Sequence, residues 1–447
     1  MINEVIGDFN PWWTNPNAYP PARPNRRDLF EDLYAHLARA DEHRAIVLMG
    51  PRQVGKTTLL HQLGDSLLRG GVPRGNLTYF DFSDDRITEA VSPRGIVDTV
   101  SSSLDKDKPR FFLFDEISRA QRWDAWLKQA VATPGHRYLV TDSAASLLRE
   151  GSTESGPGRW DEFHIEGLSF AEFLRLQAAP DEGLEEVLGK IPNALVRYLM
   201  GGGFPEHIGN DSPSEVRRRL RSDIADRAIL RDLARRKVRD LGRIKDLFVY
   251  LVQDSGAILD VRARAEALQV GGEGADPRSV LAWVRILEET RLLMPLEQRT
   301  GSPAGRLKRR AKPRVYAADH SLVWAFVASA DPLTDPRDKG RIYEAVVFRH
   351  LRDVARAREG TLSYFRQDDD QEVDFILEAL SARVAIEVTS SREPEERKKV
   401  RLREAGKAVK ADRLVLIHDG FTNKEEKGIL LIPLRDFLLD PARVMGA

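Results

Sequence analysis

The stretch GPRQVGKTT, residues 50–58, constrains this chain more than any other, because Gly50, Gly55, Lys56 and Thr57 satisfy the pattern G-x-x-x-x-G-K-[ST]. An apolar run, RAIVLM (44–49), precedes it, and TLLHQLGDSLL (58–68) follows with apolar residues at helical spacing. Strand, glycine-framed loop and helix in that order make a phosphate cradle. Glycines let successive backbone N–H groups turn toward phosphate oxygens, and the helix N-terminus adds partial positive charge. The reading assigns Gly50, Pro51, Arg52, Gln53, Val54, Gly55, Lys56, Thr57 and Thr58 to nucleotide binding, with Lys56 on the outer phosphates and Thr57 on Mg²⁺.

Such a loop needs a parallel sheet behind it, and the next hundred residues or so supply candidates. NLTYFDF (76–82), RFFLFDE (110–116) and RYLVTDS (137–143) read as buried strands separated by enough sequence for crossovers. The expected layer is a parallel sheet with helices on both faces. FFLFDE delivers Asp115 and Glu116 to the C-terminal edge of its strand, where ligands bind in open α/β sheets. Asp115 would hold Mg²⁺ through water, and Glu116 would polarise the attacking water. The next strand ends in Thr141, Asp142 and Ser143. Ser143 is placed to contact the γ-phosphate or the water, and equally suits the N-cap of the helix AASLL. No Asn-Lys-x-Asp guanine-reading motif is visible, which favours ATP with Mg²⁺ as the ligand.

The 447 residues exceed one ordinary domain, and a formal net charge of zero names no partner globally. The absence of cysteine excludes disulfides, thiolate zinc sites, iron–sulfur clusters and a cysteine nucleophile. A cytoplasmic protein is expected, since MINEVIGDFNPWW lacks a signal pattern and no apolar run approaches the ~18 residues of a membrane span. Residues 9–29 combine five prolines with two tryptophans, too irregular for a helix and too aromatic for a disordered tail, and should pack down.

From Ser169 onward helix-like stretches take over, including FAEFLRLQ and SEVRRRLRSDIADRAILRDLARRKVRDL, which suggest a helical lid. Residues 240–335 read as two helices, then LLMPLEQ, a basic loop and RVYAAD, the order of a winged helix. After DPLTDPRDKG comes a third unit: helix IYEAVVFRHLRDVARA, strands TLSYFRQ, EVDFILEA and RVAIEV, helix PEERKKVRLREAGKAV and strand RLVLIHD.

NPWW (10–13), GPRQVGKTTLL, FLFDEI, GRW with LSFAEFL (158–174), GGGFPE (201–206), ILRDL (229–233), Arg314 to Asp319, YEAVVFRHL (343–351), and EVDFIL with IEV occur in this order along nearly the whole chain. In this the chain resembles bacterial and archaeal AAA-type P-loop ATPases that carry a C-terminal domain of restriction-endonuclease-like fold. The resemblance implies an α/β protein with an AAA-type ATPase domain (1–168), a helical lid (169–239), a winged-helix domain (240–338) and a C-terminal α/β restriction-endonuclease-like domain (339–447). It also implies an arginine at Arg159, after the last strand, to offset γ-phosphate charge, with Arg231 of ILRDL as the second candidate; supply from a neighbouring subunit would require a homo-oligomer. In the C-terminal domain it places Glu344, Asp374 and Glu387 at the acidic positions of a second Mg²⁺ site. Two departures stand out: Asp142 replaces the glycine of Thr-Gly-Ser, and Thr389 stands where a lysine is expected after IEV. A threonine cannot carry that charge, although Lys398, Lys399 or Lys407 on the next helix could reach in.

Two segments are strongly basic. Residues 215–245 interleave many arginines and lysines with acids, which reads as a solvated, salt-bridged helix face. TGSPAGRLKRRAKPR (300–314), with Arg306, Lys308, Arg309 and Arg310, holds six basic residues and no acid, which suits contact with DNA phosphates. The sequence thus supports an ATP-hydrolysing switch acting on or with DNA. Its alternatives are an ATP-gated DNA nuclease, which Thr389 argues against, and a DNA-binding regulator with ATP as conformational ligand, which an intact Glu116 argues against.

Overall fold

The computed structural model describes residues 2–39, 43–87, 91–101, 105, 107–142, 158–179, 182–191, 193–210, 212–226, 229, 233, 240–268, 274–299, 312–367, 372–379 and 382–446. Ser143, Arg231 and residues 300–311 of the basic loop, with Arg306, Lys308, Arg309 and Arg310, lie outside the described residues. The chain divides into two compact units, Met1–Glu166 and Gly167–Ala447. No helix among the described residues is long and apolar enough to cross a membrane.

In the first unit the apolar runs become β1 (Ala45–Met49), β2 (Leu77–Asp81), β3 (Arg110–Asp115) and β4 (His136–Asp142), joined by β5 (Trp160–His164). They pair in the order β2-β3-β4-β1-β5, and every pair is parallel. The strand after the P-loop therefore lies at the sheet edge, and β1, β3 and β4 bring the loop and the two acidic strand ends to one rim. β5 escapes the sequence reading because WDEFH mixes acids with aromatics and covers only one edge of the sheet. The helices are α1 (Ile2–Phe9), α2 (Leu29–Ala38), α3 (Lys56–Arg69), α4 (Pro93–Val100) and α5 (Trp123–Ala130). The proline-rich N-terminal segment packs down: Trp12 is 1% exposed, and Trp12 and Trp13 both donate to the carbonyl of Leu77, at 3.1 and 2.9 Å.

The second unit begins with α6 (Phe170–Arg175), α7 (Leu184–Lys190), α8 (Ala194–Gly201) and α9 (Pro213–Arg219), the last running into a π-helical stretch, Leu220–Asp226. Next come α10 (Leu241–Gln253), α11 (Val261–Ala267) and α12 (Pro277–Glu289). The strands β6 (Leu293–Leu296), β7 (Gln298–Arg299) and β8 (Arg314–Ala317) follow, with β6 and β8 antiparallel. After α13 (His320–Phe326) and α14 (Pro336–Ala357) the chain builds β9 (Thr361–Arg366), β10 (Glu372–Ala379) and β11 (Ala382–Val388), a pair of antiparallel hairpins. Helix α15 (Glu396–Val409) crosses to β12 (Arg413–His418), parallel to β11, and β13 (Lys424–Glu426), β14 (Ile429–Pro433) and α16 (Leu434–Leu439) complete the chain. Val373, Ile376, Ala385, Leu402, Ala405 and Leu416 join this sheet and α15 in one core.

Two findings alter the sequence reading here. The large sheet runs β13-β14-β12-β11-β10-β9-β7, so β7 crosses the expected boundary at residue 338 and pairs with β9. The arginine-rich stretch is also not a wholly solvated face. Arg217 donates to the carbonyls of Trp324 (3.0 Å) and Ser329 (3.2 Å), and Arg221 to that of Ala325 (2.7 Å). Both arginines thereby satisfy carbonyls left over at and just beyond the C-terminus of α13, where the helix dipole favours a cation.

Candidate functional site

The P-loop turns between β1 and α3 through two left-handed residues, Gln53 (φ 63°) and Gly55 (φ 100°). Gly50 is required for a different reason: a Cβ there would lie 2.2 Å from the carbonyl oxygen of Ile165. Lys56, 4% exposed, donates to the carbonyls of Gly50 and Pro51, both at 2.9 Å, so its ammonium sits inside the loop's curve. Burial lowers its pKa, and the nearby charges of Glu116, Asp115 and Asp142 offset part of that shift.

Asp115 closes β3 and is 2% exposed. Its Oδ2 accepts from the hydroxyl of Thr57 at 2.5 Å and from Tyr79 at 3.4 Å, and its Oδ1 accepts from Thr141. Burial pushes the Tyr79 phenol far up, so it remains a donor. Thr141 also accepts from the backbone amide of Glu116 at 3.0 Å. That bond holds Glu116 in a left-handed turn (φ 50°) just past the strand, an unusual conformation for a non-glycine residue. The structure thus brings together Lys56, Thr57, Asp115 and Glu116, with Thr141 joining the last two. The donor set fits Mg²⁺ and nucleotide: a threonine hydroxyl and a carboxylate already meet, beside a lysine and a loop of backbone amides. Thr57 and Asp115 would hold the metal ion, which supplies charge neutralisation at the phosphates.

Arg159 does not join them. It directly precedes β5, whose register sets Trp160 beside Ala45 and His164 beside Met49. Arg159 is exposed at the start of the strands, whereas the P-loop leaves from their other end, on the order of 15 Å away at the rise of a strand. Within one chain it cannot reach its own P-loop. Two residues that the sequence did not single out, Tyr79 and Arg27, do contact the site. Arg27 lies in the proline-rich segment and donates to the carbonyl of Val54 at 2.7 Å.

The second unit gathers Glu344 from α14 with Asp374 near the start of β10 and Glu387 near the end of β11, where the two antiparallel strands share one end. Among the described residues no group of three or more His, Cys, Asp and Glu side chains is arranged to hold a metal ion. A cation of the chain's own lies among these carboxylates. Arg314, 5% exposed, reaches Glu344 (3.3 Å), Asp374 (3.4 Å) and Glu372. Tyr316 donates to Glu344 at 2.6 Å, and the amide of Val388 to Asp374 at 3.0 Å. Of the three candidate lysines, Lys398 reaches in, lying 3.3 Å from Glu387 and 2.9 Å from the carbonyl of Val388. Lys399 instead pairs with Glu426 at 2.9 Å, and Lys407 is exposed. Burial, reinforced by the charge of Asp374, pushes the carboxyl of Glu344 up to about 7 and that of Glu387 to about 8.

Residues 42–174 match the family described as an AAA domain, AAA_14. Residues 192–332 and 339–437 match two domains of unknown function, DUF8612 and DUF4143. An uncharacterized protein of Haemophilus influenzae is 24% identical over 352 residues, covering 76% of this chain and 82% of its own. Among solved structures, C. elegans PCH-2 is similar with a TM-score of 0.26 and 16% identity over 37% of this chain and 48% of that one, about half its length. The Aeropyrum pernix ORC1 protein, solved in complex with DNA, is similar with a TM-score of 0.32 and 14% identity over 70% of this chain and 94% of its own. The family match supports an AAA-type P-loop ATPase domain, the class whose members bind nucleotide, typically with Mg²⁺.

Proposed function

We propose that the chain is an ATP-hydrolysing molecular switch that acts on or with DNA. The observation that carries the reading is the hydroxyl bridge at Asp115: Thr57 on one oxygen, Thr141 on the other, and Glu116 tied to Thr141. In this reading Lys56 brings full charge to the outer phosphates and the loop amides hold the inner ones. Glu116 accepts the proton of the attacking water. The DNA part rests on the acid-free basic loop between β7 and β8; α10, α11 and α12 with the β6–β8 pair support a winged-helix reading of the segment around it. A helical lid over residues 169–239 remains part of the proposal. A homo-oligomer would allow the exposed Arg159 to serve another subunit's site.

A second reading, an ATP-gated nuclease, is favoured by one observation: Lys398 places an ammonium 3.3 Å from Glu387, restoring a charge that Thr389 lacks. The order α14, β9, β10, β11, α15, β12 supports a restriction-endonuclease-like domain. The test is ATP turnover by the purified protein, with and without single-stranded and double-stranded DNA, beside DNA cleavage in Mg²⁺. The switch reading expects turnover that responds to DNA, without cleavage. Cleavage abolished by Glu387→Ala would make the nuclease the function, and no turnover under any condition would sink both.

A further inference from the structure

Arg27 sits in a segment that no nucleotide motif includes, yet its guanidinium is 8% exposed and grips two backbone carbonyls. Nη1 donates to Val54 O at 2.7 Å and Nη2 to Glu166 O at 3.0 Å. Val54 C=O and Gly55 N–H belong to one trans peptide and so point in opposite directions. Holding the carbonyl toward Arg27 aims the Gly55 amide away from it, as a phosphate cradle requires.

The other arm reaches the segment by which the first unit ends. Ile165 already lies against the loop's entry, its amide donating to Met49 O at 2.8 Å and its carbonyl excluding any side chain at Gly50. Arg27 fastens the next residue, Glu166, to the loop's far side. One residue on, the second unit holds its own first residues as firmly. Arg349 donates to Gly167 O, Tyr198 to Leu168 O at 2.7 Å, and the amide of Leu168 to Gly203 O at 2.6 Å. A Cβ on Gly167 would lie 2.3 Å from Asp319 Oδ2. The amide of Phe170 donates to His350 at 3.3 Å. The chain therefore passes from a residue bound to the P-loop to residues bound to α8 and α14 across a single peptide bond.

We propose that Arg27 is a positioning residue with two tasks: it sets the Gly55 amide for phosphate, and it makes a movement of the P-loop a movement of Glu166 and hence of Gly167. This rests on the ATP reading above. The coupling runs through main chain and one buried guanidinium, and needs no side chain that touches the nucleotide.

The experiment uses the full chain with Arg27→Gln, Arg27→Lys and, as reference, Lys56→Ala. Binding is read with a fluorescent ATP analogue and Mg²⁺, and transmission by hydrogen exchange at Leu168 and Phe170 with a saturating non-hydrolysable analogue. Arg27→Gln should bind the analogue roughly tenfold to a hundredfold more weakly, having lost two charge-assisted bonds. At saturation, exchange at Leu168 and Phe170 should respond to nucleotide in the parent and not in Arg27→Gln. Arg27→Lys keeps the charge without the two-pronged fork, so it should retain more affinity yet lose the exchange response. If Arg27→Gln fails to fold, Arg27→Lys alone decides by its exchange response. Affinity for Arg27→Gln within about twofold of the parent, or an exchange response that survives in either variant, overturns the proposal. No binding by the parent, or binding unchanged in Lys56→Ala, overturns the ATP reading and this inference with it.

Discussion

The Asp115 site of the first unit and the Glu387 cluster of the second both collect carboxylates at the ends of buried interior strands, but they satisfy them differently. Asp115 accepts from the hydroxyls of Thr57, Thr141 and Tyr79. Glu344, Glu372 and Asp374 share the guanidinium of Arg314, and Glu387 faces Lys398. A hydroxyl can turn from a carboxylate to a metal ion without uncovering a charge. Removing a buried guanidinium leaves like charges facing one another in a poorly solvated place. The first site is thus arranged to take a cation from outside, whereas the second carries its own.

The strongest way to break this comparison is at the first site. Glu116→Gln should still bind nucleotide and should lower turnover by roughly 10²- to 10⁴-fold, the scale of a lost general base. Binding is read by fluorescent-analogue titration and turnover by phosphate release; equal loss of binding in Glu116→Gln and Lys56→Ala would erase the division of roles. At the second site, Arg314→Ala should destabilise the second unit by about 3–5 kcal/mol, because Glu344 and Asp374 lose the cation they share, while Glu372 keeps Arg366 at 3.7 Å and Arg401 at 4.0 Å. Denaturant unfolding measures this, and a loss below about 1 kcal/mol would mean that the cluster is solvated enough to do without its cation.

A smaller effect follows from pH. The carboxyls of Glu344 and Glu387 rise from an ordinary 4.5 to about 7 and about 8, chiefly through burial and then through Asp374. A raised pKa means that the folded chain favours the protonated form, so this contribution is fully present below 4.5 and is lost as pH rises through 7 to 8. The second unit should accordingly unfold at lower denaturant near pH 8 than near about pH 5.5, as far as these two groups decide it. Glu387→Gln, neutral throughout, should flatten that slope. The smallest effect is expected from Arg159→Ala, which should leave turnover per chain unchanged at concentrations where the protein is monomeric, since Arg159 lies at the far end of β5. A drop that appears only at high concentration would place it in a neighbouring subunit's site.

The P-loop, its strand and its helix were legible because their pattern is local: glycine spacing, an apolar run before and helical periodicity after. FFLFDE was legible for the same reason. β5 was not, since an edge strand needs to bury only one side and WDEFH alternates too weakly to announce it. The basic stretch misled because composition cannot separate an arginine facing water from one such as Arg217 that caps a helix elsewhere in the chain. The C-terminal carboxylates were found by their order along the chain, while the cation among them came from β8, thirty residues before Glu344 and sixty before Asp374.

Sequence alone therefore determined the glycine-framed loop between β1 and α3, the acidic pair at the end of β3 and the parallel character of the first sheet, because each follows from backbone chemistry within a short window. Tertiary structure decided which side chains stand opposite them. Thr141 joining Asp115 to Glu116, Arg27 bracing Val54 against Glu166, and Arg314 among Glu344, Glu372 and Asp374 all depend on contacts between residues 25 to 139 positions apart. Such contacts are fixed by how strands and helices pack, and a charge or hydroxyl carries no mark in the sequence of the partner that packing will give it.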